Sequence, residues 1–452
     1  MKSTSGRTRR TGTAAIAENA DPARAEAAIR RVVELSGGMD WLKPGASVVI
    51  KPALNSSHAF PFTASPASCA ALVRMCLERG AKQVWVADET GFEHTMLKHW
   101  KTGHFAGFEK DHTIKSFKKT GIYDAVRAVG DELGATDRIH ITTFREHGWR
   151  RHALSTSRKE SGGFALHNEW VREQLKGAEK LGGGQARRRY LPRLFDRTPG
   201  GSKAGLWVPS LLDEADHIIN VFRISTHVWS QFTMAIKNWV GIMRPDDRVW
   251  MHQLNYLKNN RHSRHGLGWD HPIRSEPLYH EQLAELHIAH AHKERLCVAD
   301  ATQVIVTGGP DGTDRPLCRA NLVLAATDIV AADVAALAIL RWGTMKAPDG
   351  LHGRYEPQPS GWLEAASGLI KDLRWPKGKH VFRGTDGKLC DPGFSNWDWV
   401  AIQRARELGL GVERPADLDL RFEAGSSRFA VSKEKRAWVA EDVSRGPRYD
   451  LK

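Results

Sequence analysis

Short β-branched runs alternate with helical periodicity between residues 21 and 144, and few architectures accept that rhythm. "DPARAEAAIRRVVELSGG" carries Asp21 as an N-cap, Pro22 in the first turn and Gly37 beyond the end, the punctuation of a helix. "ASVVIKPAL" reads as a strand ending near Lys51, and Ser65-Pro66 opens a helix through "ASCAALVRMCLERG" that stops at Gly80. "KQVWVADETG" is a second buried strand ending at Asp88; "IYDAVRAVGDELG" is another helix and "RIHITTF" another strand. A βαβα order with apolar strands predicts an α/β fold: mainly parallel sheets with helices on both faces. The length of 452 residues accommodates two lobes around a cleft, with long polar insertions.

The remaining boundaries follow from where the rhythm breaks. Residues 1–20 read as a flexible start, 21–144 as one α/β lobe, and 145–207 as a basic Gly/Arg-rich insertion or lid. "ADHIINVFRI" resumes the sheet within a second α/β part, 208–343, in which "WSQFTMAIKNWVGIM" reads as a helix. A His-rich excursion spans 244–280; "ERLCVADATQVIVTGG" and "ANLVLAAT" resume the strands, and "DIVAADVAALAILRWG" is an apolar helix. Residues 344–452 read as a C-terminal extension with one helix at "GWLEAASGLIKDLRW".

Composition narrows the function classes. No apolar run reaches the roughly 18 residues needed to cross a bilayer. The paired arginines Arg9 and Arg10 lack the apolar segment of about 7–15 residues that an export signal carries, so a cytoplasmic location is expected. The five cysteines (Cys69, Cys76, Cys297, Cys318 and Cys390) form no Cys-x-x-Cys pair, which argues against an iron–sulfur cluster, a zinc ribbon or a disulfide scaffold. The formal net charge of +14, concentrated around Arg187, Arg188 and Arg189, would attract polyanions or a phosphorylated metabolite, or simply form a solvated basic loop. His287, His290 and His292 lie close together in sequence, as do His262 and His265, but no His-Glu-x-x-His pattern occurs. Surface histidines are the expectation there; a metal is the lesser alternative.

Strands of an open α/β sheet direct their carboxyl ends into a shared crevice, where ligands bind. That rule gathers candidates from separate parts of the chain: Lys51 and Asn55 after one strand, Asp88, Glu89 and Thr90 after the next, then Arg223, Ser225, Thr226 and His227, and later Asp300 and "GGPDGT". In that last stretch Gly309, Asp311 and Gly312 would turn backbone N–H groups toward a phosphate or carboxylate, or form only a tight turn around Pro310. The segment "THVWSQFTMAIKNWVG" is the least easily explained, because Lys237 and Asn238 lie in an apolar run. On one continuous helix Lys237 would lie about 15 Å from His227 at ~1.5 Å per residue, so both face one cleft only if that helix is broken or short. Lys237 would then hold an anion or act as a base; the alternative is a partner for a helix C-terminus.

Three blocks resemble the bacterial and archaeal proteins called domain of unknown function 362: "VVIKPALNSSHAFPFTASPASCAALVRMCLERGAKQVWVADETG", "ADHIINVFRISTHVWSQFTMAIKNWVGIM" and "GGPDGTDRPLCRANLVLAATDIVAADVAALAIL". The resemblance implies that Lys51, Asn55, Asp88, His227, Lys237, Asn238, Gly309, Pro310, Gly312, Asp328 and Asp333 are the motif positions. It also implies a fold distantly like that of the nickel-pincer lactate racemases. Many members carry ferredoxin-type clusters, but this chain lacks the cysteines, so no iron–sulfur cluster is expected and the cofactor stays unassigned. The chain departs further in reading Lys-Pro-Ala-Leu-Asn rather than Lys-Pro-Asn, in its basic insertion and in its long C-terminal segment.

The expectation is an enzyme of isomerase-like or redox chemistry acting on an anionic small molecule. Lys51, Asp88, His227 and Lys237 would be catalytic; Asn55, Glu89, Thr90, Asn238, Gly309, Asp311, Gly312 and Asp333 would bind the ligand. A binding or scaffold protein of the same fold is the alternative, with a protein partner or a second copy as its target. A nucleic-acid-binding protein, with Trp149, Trp170 and Tyr190 among the basic residues, ranks third because no recognised motif accompanies the charge.

Overall fold

The computed structural model describes residues 11–90, 112–153, 205–227, 231–244, 278–306, 317–345 and 395–447. Strand β1 (Gly12–Glu18) precedes helix α1 (Ala25–Leu35), followed by β2 (Ser47–Pro52), α2 (Pro66–Glu78) and β3 (Gln83–Asp88). Then come α3 (Thr113–Lys119), α4 (Ile122–Leu133) and β4 (Ile139–Thr143). Antiparallel β5 (Trp149–Ala153) and β6 (Gly205–Pro209) clamp the two ends of the basic insertion. Helix α5 (Ser210–Glu214) leads into β7 (His217–Phe222), β8 (Ser225–His227), β9 (Gln231–Thr233) and the single-turn α6 (Ala235–Asn238). Helix α7 (Leu278–Glu285) is followed by β10 (Glu294–Ala301), β11 (Val304–Ile305), β12 (Leu317–Cys318) and β13 (Leu322–Ala326). Helices α8 (Ile329–Met345) and α9 (Val400–Glu407), strand β14 (Leu418–Phe422) and α10 (Lys433–Ser444) close the chain.

Eight strands form one sheet in the order β14-β1-β13-β10-β7-β2-β3-β4. Every neighbouring pair is parallel except the two that β13 makes, with β1 and with β10. Strand residues alternate between two cores. Val48, Ile50, Val84, Val86, Ile219 and Val221 pack under α1, α2 and α4, while Val49, Ile218, Phe222 and Ala299 face α8 and the tryptophans Trp239, Trp397 and Trp399. A sheet covered on both faces explains why these strands read as nearly continuous apolar runs. Cys69 and Cys76 are fully buried on α2, and burial pushes the Cys69 thiol up to about 12, as befits inert core residues. No helix among the described residues is long and apolar enough to cross a membrane.

Three sequence expectations are corrected. The supposed flexible start supplies β1, whose Ala14, Ala15, Ile16 and Ala17 are fully buried between β13 and β14. The C-terminal segment is no appendage: β14 extends the sheet, and buried ion pairs join it to the preceding chain, Arg341 with Asp442 at 3.2 Å and Arg404 with Glu285 at 3.0 Å. The two stretches read as separate lobes share one sheet, because β7 is hydrogen-bonded between β2 and β10. The helix expected at "GWLEAASGLIKDLRW" lies outside the described residues.

Ending the chain before Ser395 would bare the edge of β1 and take Asp442 away from the buried Arg341 and Arg404 away from the buried Glu285. Uncompensated buried charge costs about 3–5 kcal/mol per broken pair. The shortened chain is therefore expected to lose its cooperative unfolding transition in a urea titration. A transition matching that of the full chain would make the segment dispensable to the core.

Candidate functional site

The parallel strands β2 and β7 lie side by side, yet the chain leaves them in opposite directions across the sheet, β2 toward β3 and β7 toward β10. This is the topological switch point of a doubly wound sheet. Lys51 and Asn220 are register partners there, adjacent on one face. Asp88 closes β3 on the other side of β2.

Parallel strands with flush ends bring these side chains together. The Lys51 Nζ lies 2.9 Å from Asp88 Oδ1, both side chains being only 2% exposed. It also donates to Asn238 Oδ1 and to the carbonyl of Pro52, each at 3.1 Å. Asp88 accepts from the backbone N–H of Leu54 at 2.9 Å and of Glu89 at 2.8 Å, so one carboxylate anchors the loops leaving both β2 and β3. Asn238 Nδ2 donates to Asn220 Oδ1 at 2.7 Å and to the Lys51 carbonyl at 3.3 Å. Asn220 Nδ2 passes the connection to Glu294 Oε1 at 2.8 Å. Trp239 Nε1 also donates to that oxygen, at 3.0 Å, and His287 Nδ1 lies 3.4 Å from the other carboxylate oxygen. Burial alone would raise Glu294; these donors outweigh it and leave the carboxyl below its ordinary value.

The backbone of Gly241 closes over the ion pair. A Cβ there would lie 2.2 Å from Asp88 Oδ1 and 2.5 Å from Lys51 Nζ, so no other residue fits without parting the pair. Sequence reading did not place Gly241 or Asn220 among the site residues. The glycine carried a signal, three residues after Asn238 in an otherwise bulky apolar run. Asn220 carried one too, as the lone amide inside "HIINVF".

The long helix expected at "WSQFTMAIKNWVGIM" is instead β9, the single turn of α6 and a 3-10 turn over Trp239–Ile242. Asp333 is the reason the turn begins where it does. From within α8 its carboxylate accepts the N–H groups of Ala235 at 2.7 Å and Ile236 at 3.1 Å, capping α6 from outside. Burial holds Asp333 well above the ordinary carboxylate range, with those two N–H groups pulling the other way. Asp328, the other acid of that motif, caps α8 itself by accepting from Ala331 N at 2.9 Å and is pushed up to about 6 by burial. Asp333 is therefore a fully buried capping residue, not a group presented to ligand.

The remaining candidates divide among neighbouring groups. Asn238 points into the switch-point network, whereas Lys237, one residue earlier on the helix, lies near enough to His280 on α7 for its charge to act there. Burial first, and the Lys237 ammonium second, hold His280 down to about 3. His227 is buried on β8, in register with Gln231 of β9 within a small sheet of order β12-β11-β8-β9. Glu89 turns toward the sheet edge, accepting from Arg145 Nε at 2.7 Å and Thr143 Oγ1 at 3.1 Å. Thr90 meets Thr113 across 3.1 Å, and Asn55 is half-buried in the loop after β2. Asp300 shapes a local turn, accepting from Thr302 N at 2.9 Å, and is also hydrogen-bonded by the Ser65 side chain. Gly309, Asp311 and Gly312 lie outside the described residues. Among the histidines of "LHIAHAH", His292 is exposed while His287 and His290 are buried and engaged with acids. Lys51 and Asp88, expected to face a shared crevice, instead form a closed polar floor, because the two charges meet end to end beneath Gly241.

A family model described as a domain of unknown function (DUF362) matches residues 48–156 and 193–338, more than half of the chain. The unmatched gap falls within the basic insertion. No curated protein and no solved structure matches the chain.

Two measurements probe the floor. Lys51→Met leaves Asp88 buried without its cation and should destabilise the protein by about 3–5 kcal/mol in urea unfolding, with part regained when Asp88→Leu is added. A loss under about 1 kcal/mol, the range of exposed pairs, would contradict the buried pair. The second concerns His280, whose folded value of about 3 lies below its ordinary 6.5. The unfolded chain then takes up its proton first, so this histidine's contribution is intact above pH 6.5 and is lost as pH falls toward 3. His280→Gln should flatten that part of the stability–pH curve, measured by thermal melts; an unchanged slope would contradict it.

Proposed function

The chain belongs to the domain of unknown function 362 family, and from that premise and the switch-point geometry we propose that it is an enzyme performing acid–base, isomerase-like chemistry on an anionic small molecule. The supporting observation is the buried chain of polar groups running from Asp88 through Lys51, Asn238 and Asn220 to Glu294. Burying a charged pair returns little stability compared with apolar packing of the same volume. Such a network, placed where doubly wound sheets bind their ligands, is better explained by function than by folding.

In this reading Lys51 and Asp88 do not touch the substrate. They fix the loops that carry Asn55, Glu89 and Thr90 and hold Asn238 in place. Lys237 and His227 supply the groups that meet the anion: the ammonium as a counter-charge for a developing enolate, the imidazole as the proton carrier. A redox reaction on the same anion would use the same counter-charge. A binding or scaffold protein of the same fold is favoured by one observation, namely that Lys51 and Asp88 are committed to each other. A cytoplasmic setting suits either reading.

The test is a thermal-shift panel of hydroxy acids, keto acids and phosphate monoesters on the purified full chain. At least one should raise the midpoint, and His227→Ala and Lys237→Met should each remove that rise. Solvent deuterium entering the carbon beside the carbonyl of the stabilising compound would then mark the isomerase-like reaction. Stabilisation without exchange would leave a binder in place of the enzyme. An unmoved midpoint across the panel, or variants that respond like the parent, would defeat the anionic-ligand reading altogether.

A further inference from the structure

A second cluster of ligating side chains lies apart from the switch point, where the β5–β6 pair meets the turn between α7 and β10. His152 comes from β5, Asp213 from α5 and His290 from that turn. The Nε2 atoms of both histidines converge on Asp213: His290 lies 2.7 Å from Oδ1, and His152 lies 3.0 Å from Oδ1 and 3.2 Å from Oδ2. Among the described residues this is the one group of three potential metal-ligating side chains whose donor atoms lie within 4.8 Å of one another. We propose that His152, Asp213 and His290 form a binding site for a divalent transition-metal ion of the zinc, cobalt or nickel kind.

Three observations carry the inference. The first is spacing. Imidazole nitrogen and carboxylate oxygen bind such ions at about 2.0–2.2 Å, which puts neighbouring ligands roughly 2.9–3.4 Å apart at tetrahedral or octahedral angles. Two of the three edges, 3.0 and 2.7 Å to Asp213, already lie near those values, and all three donor atoms lie within 4.8 Å of one another. Second, the donor set of two imidazoles and one carboxylate is borderline in softness and suits first-row divalent ions better than calcium or magnesium. Third, the side chains are held in place. His290 is 1% exposed and lies nearly parallel to the Trp239 ring at a centroid distance of 6.4 Å, while Asp213 is only 18% exposed.

An ion would be bound through the Nε2 lone pairs that face Asp213, with the proton of each neutral imidazole on Nδ1. Nearby cations do not occupy the space. The Lys293 ammonium is engaged with the carbonyls of Leu212, Asp213 and Ala215, and Arg150 reaches only the outer Oδ2 at 3.9 Å. Three protein ligands leave coordination positions for water or another donor. The consequence for the fold is concrete: a bound ion would pin the base of the basic insertion, through β5, to the main sheet.

The experiment strips the purified full chain with a chelator, then titrates it with cobalt(II) and, by equilibrium dialysis, with zinc(II). The expected result is one tight equivalent per chain, weakened by more than ~100-fold in both His152→Gln and Asp213→Asn, beyond the range typical of losing a mere outer-shell partner. Circular dichroism of each variant establishes that it is folded. A readout independent of the variants is the proton spectrum of the cobalt(II)-loaded parent, in which two exchangeable, paramagnetically shifted imidazole N–H signals are expected, one per histidine ligand. Absence of a tight equivalent overturns the proposal. So does an equivalent unaffected by either folded variant, or a shifted-signal count other than two, since the ion would then lie on other histidines. None of these outcomes bears on the anionic-ligand reading, which uses different residues.

Discussion

Two opposite charges buried at the ends of adjacent parallel strands set the terms for everything around them. Lys51 and Asp88 are 2% exposed, and neither could remain there alone. Each of the three Lys51 N–H donors has an acceptor: Asp88, Asn238 and the Pro52 carbonyl. Asp88 in turn holds the first peptide of two separate loops. Such a pair tolerates little repositioning, so the backbone above it must come close without a side chain, and Gly241 does so. One electrostatic requirement thus fixes a glycine almost two hundred residues away in sequence.

The same requirement reaches α6. That single turn is too short to be stable by its own hydrogen bonds, since nucleation dominates at this length. Asp333 supplies what the turn lacks by accepting two of its N–H groups from a different helix. Asn238 at the other end of the turn is then presented to Lys51 and Asn220. The spacing of Asp328 and Asp333 acquires a physical meaning from this arrangement: one acid starts α8, and the other, one turn and a half along it, starts α6. Both belong to the support of the site and neither to its surface.

Much of this was readable in the chain, and the parts that were not have identifiable causes. Lys51 and Asp88 could be placed at strand ends because the runs before them are β-branched and end in polar residues, and the switch-point rule brought them together. Their mutual neutralisation was not readable, since it depends on adjacency of β2 and β3 in register. Strand β1, "GTAAIAE", carries three alanines and only Thr13 and Ile16 as β-branched residues, a weak strand signal; pairing on both sides makes it a strand. The stretch around Lys237 gave a false helix because it is apolar on every side. That composition reflects burial against α8 and the sheet, and burial on all sides erases the periodicity that separates helix from strand. Strand β14 lay hidden for the opposite reason: its burial alternates between partial and exposed at the sheet edge, with Asp419 and Arg421 pointing outward.

Trp239 shows how the two halves of the molecule are held in relation. Its indole N–H donates to Glu294, the last member of the polar chain that starts at Asp88. Its ring packs against His287 at 4.4 Å and lies parallel to His290 at 6.4 Å between centroids. The position of His290 beside Asp213 and His152 is therefore coupled through one rigid ring to the register of Asn220 and Lys51. A ring of that size, fully enclosed, cannot shift without opening a cavity on one side and a clash on the other. The base of the basic insertion and the closed floor of the switch point thus share Trp239 as a packed neighbour, through His290 on one side and Glu294 on the other.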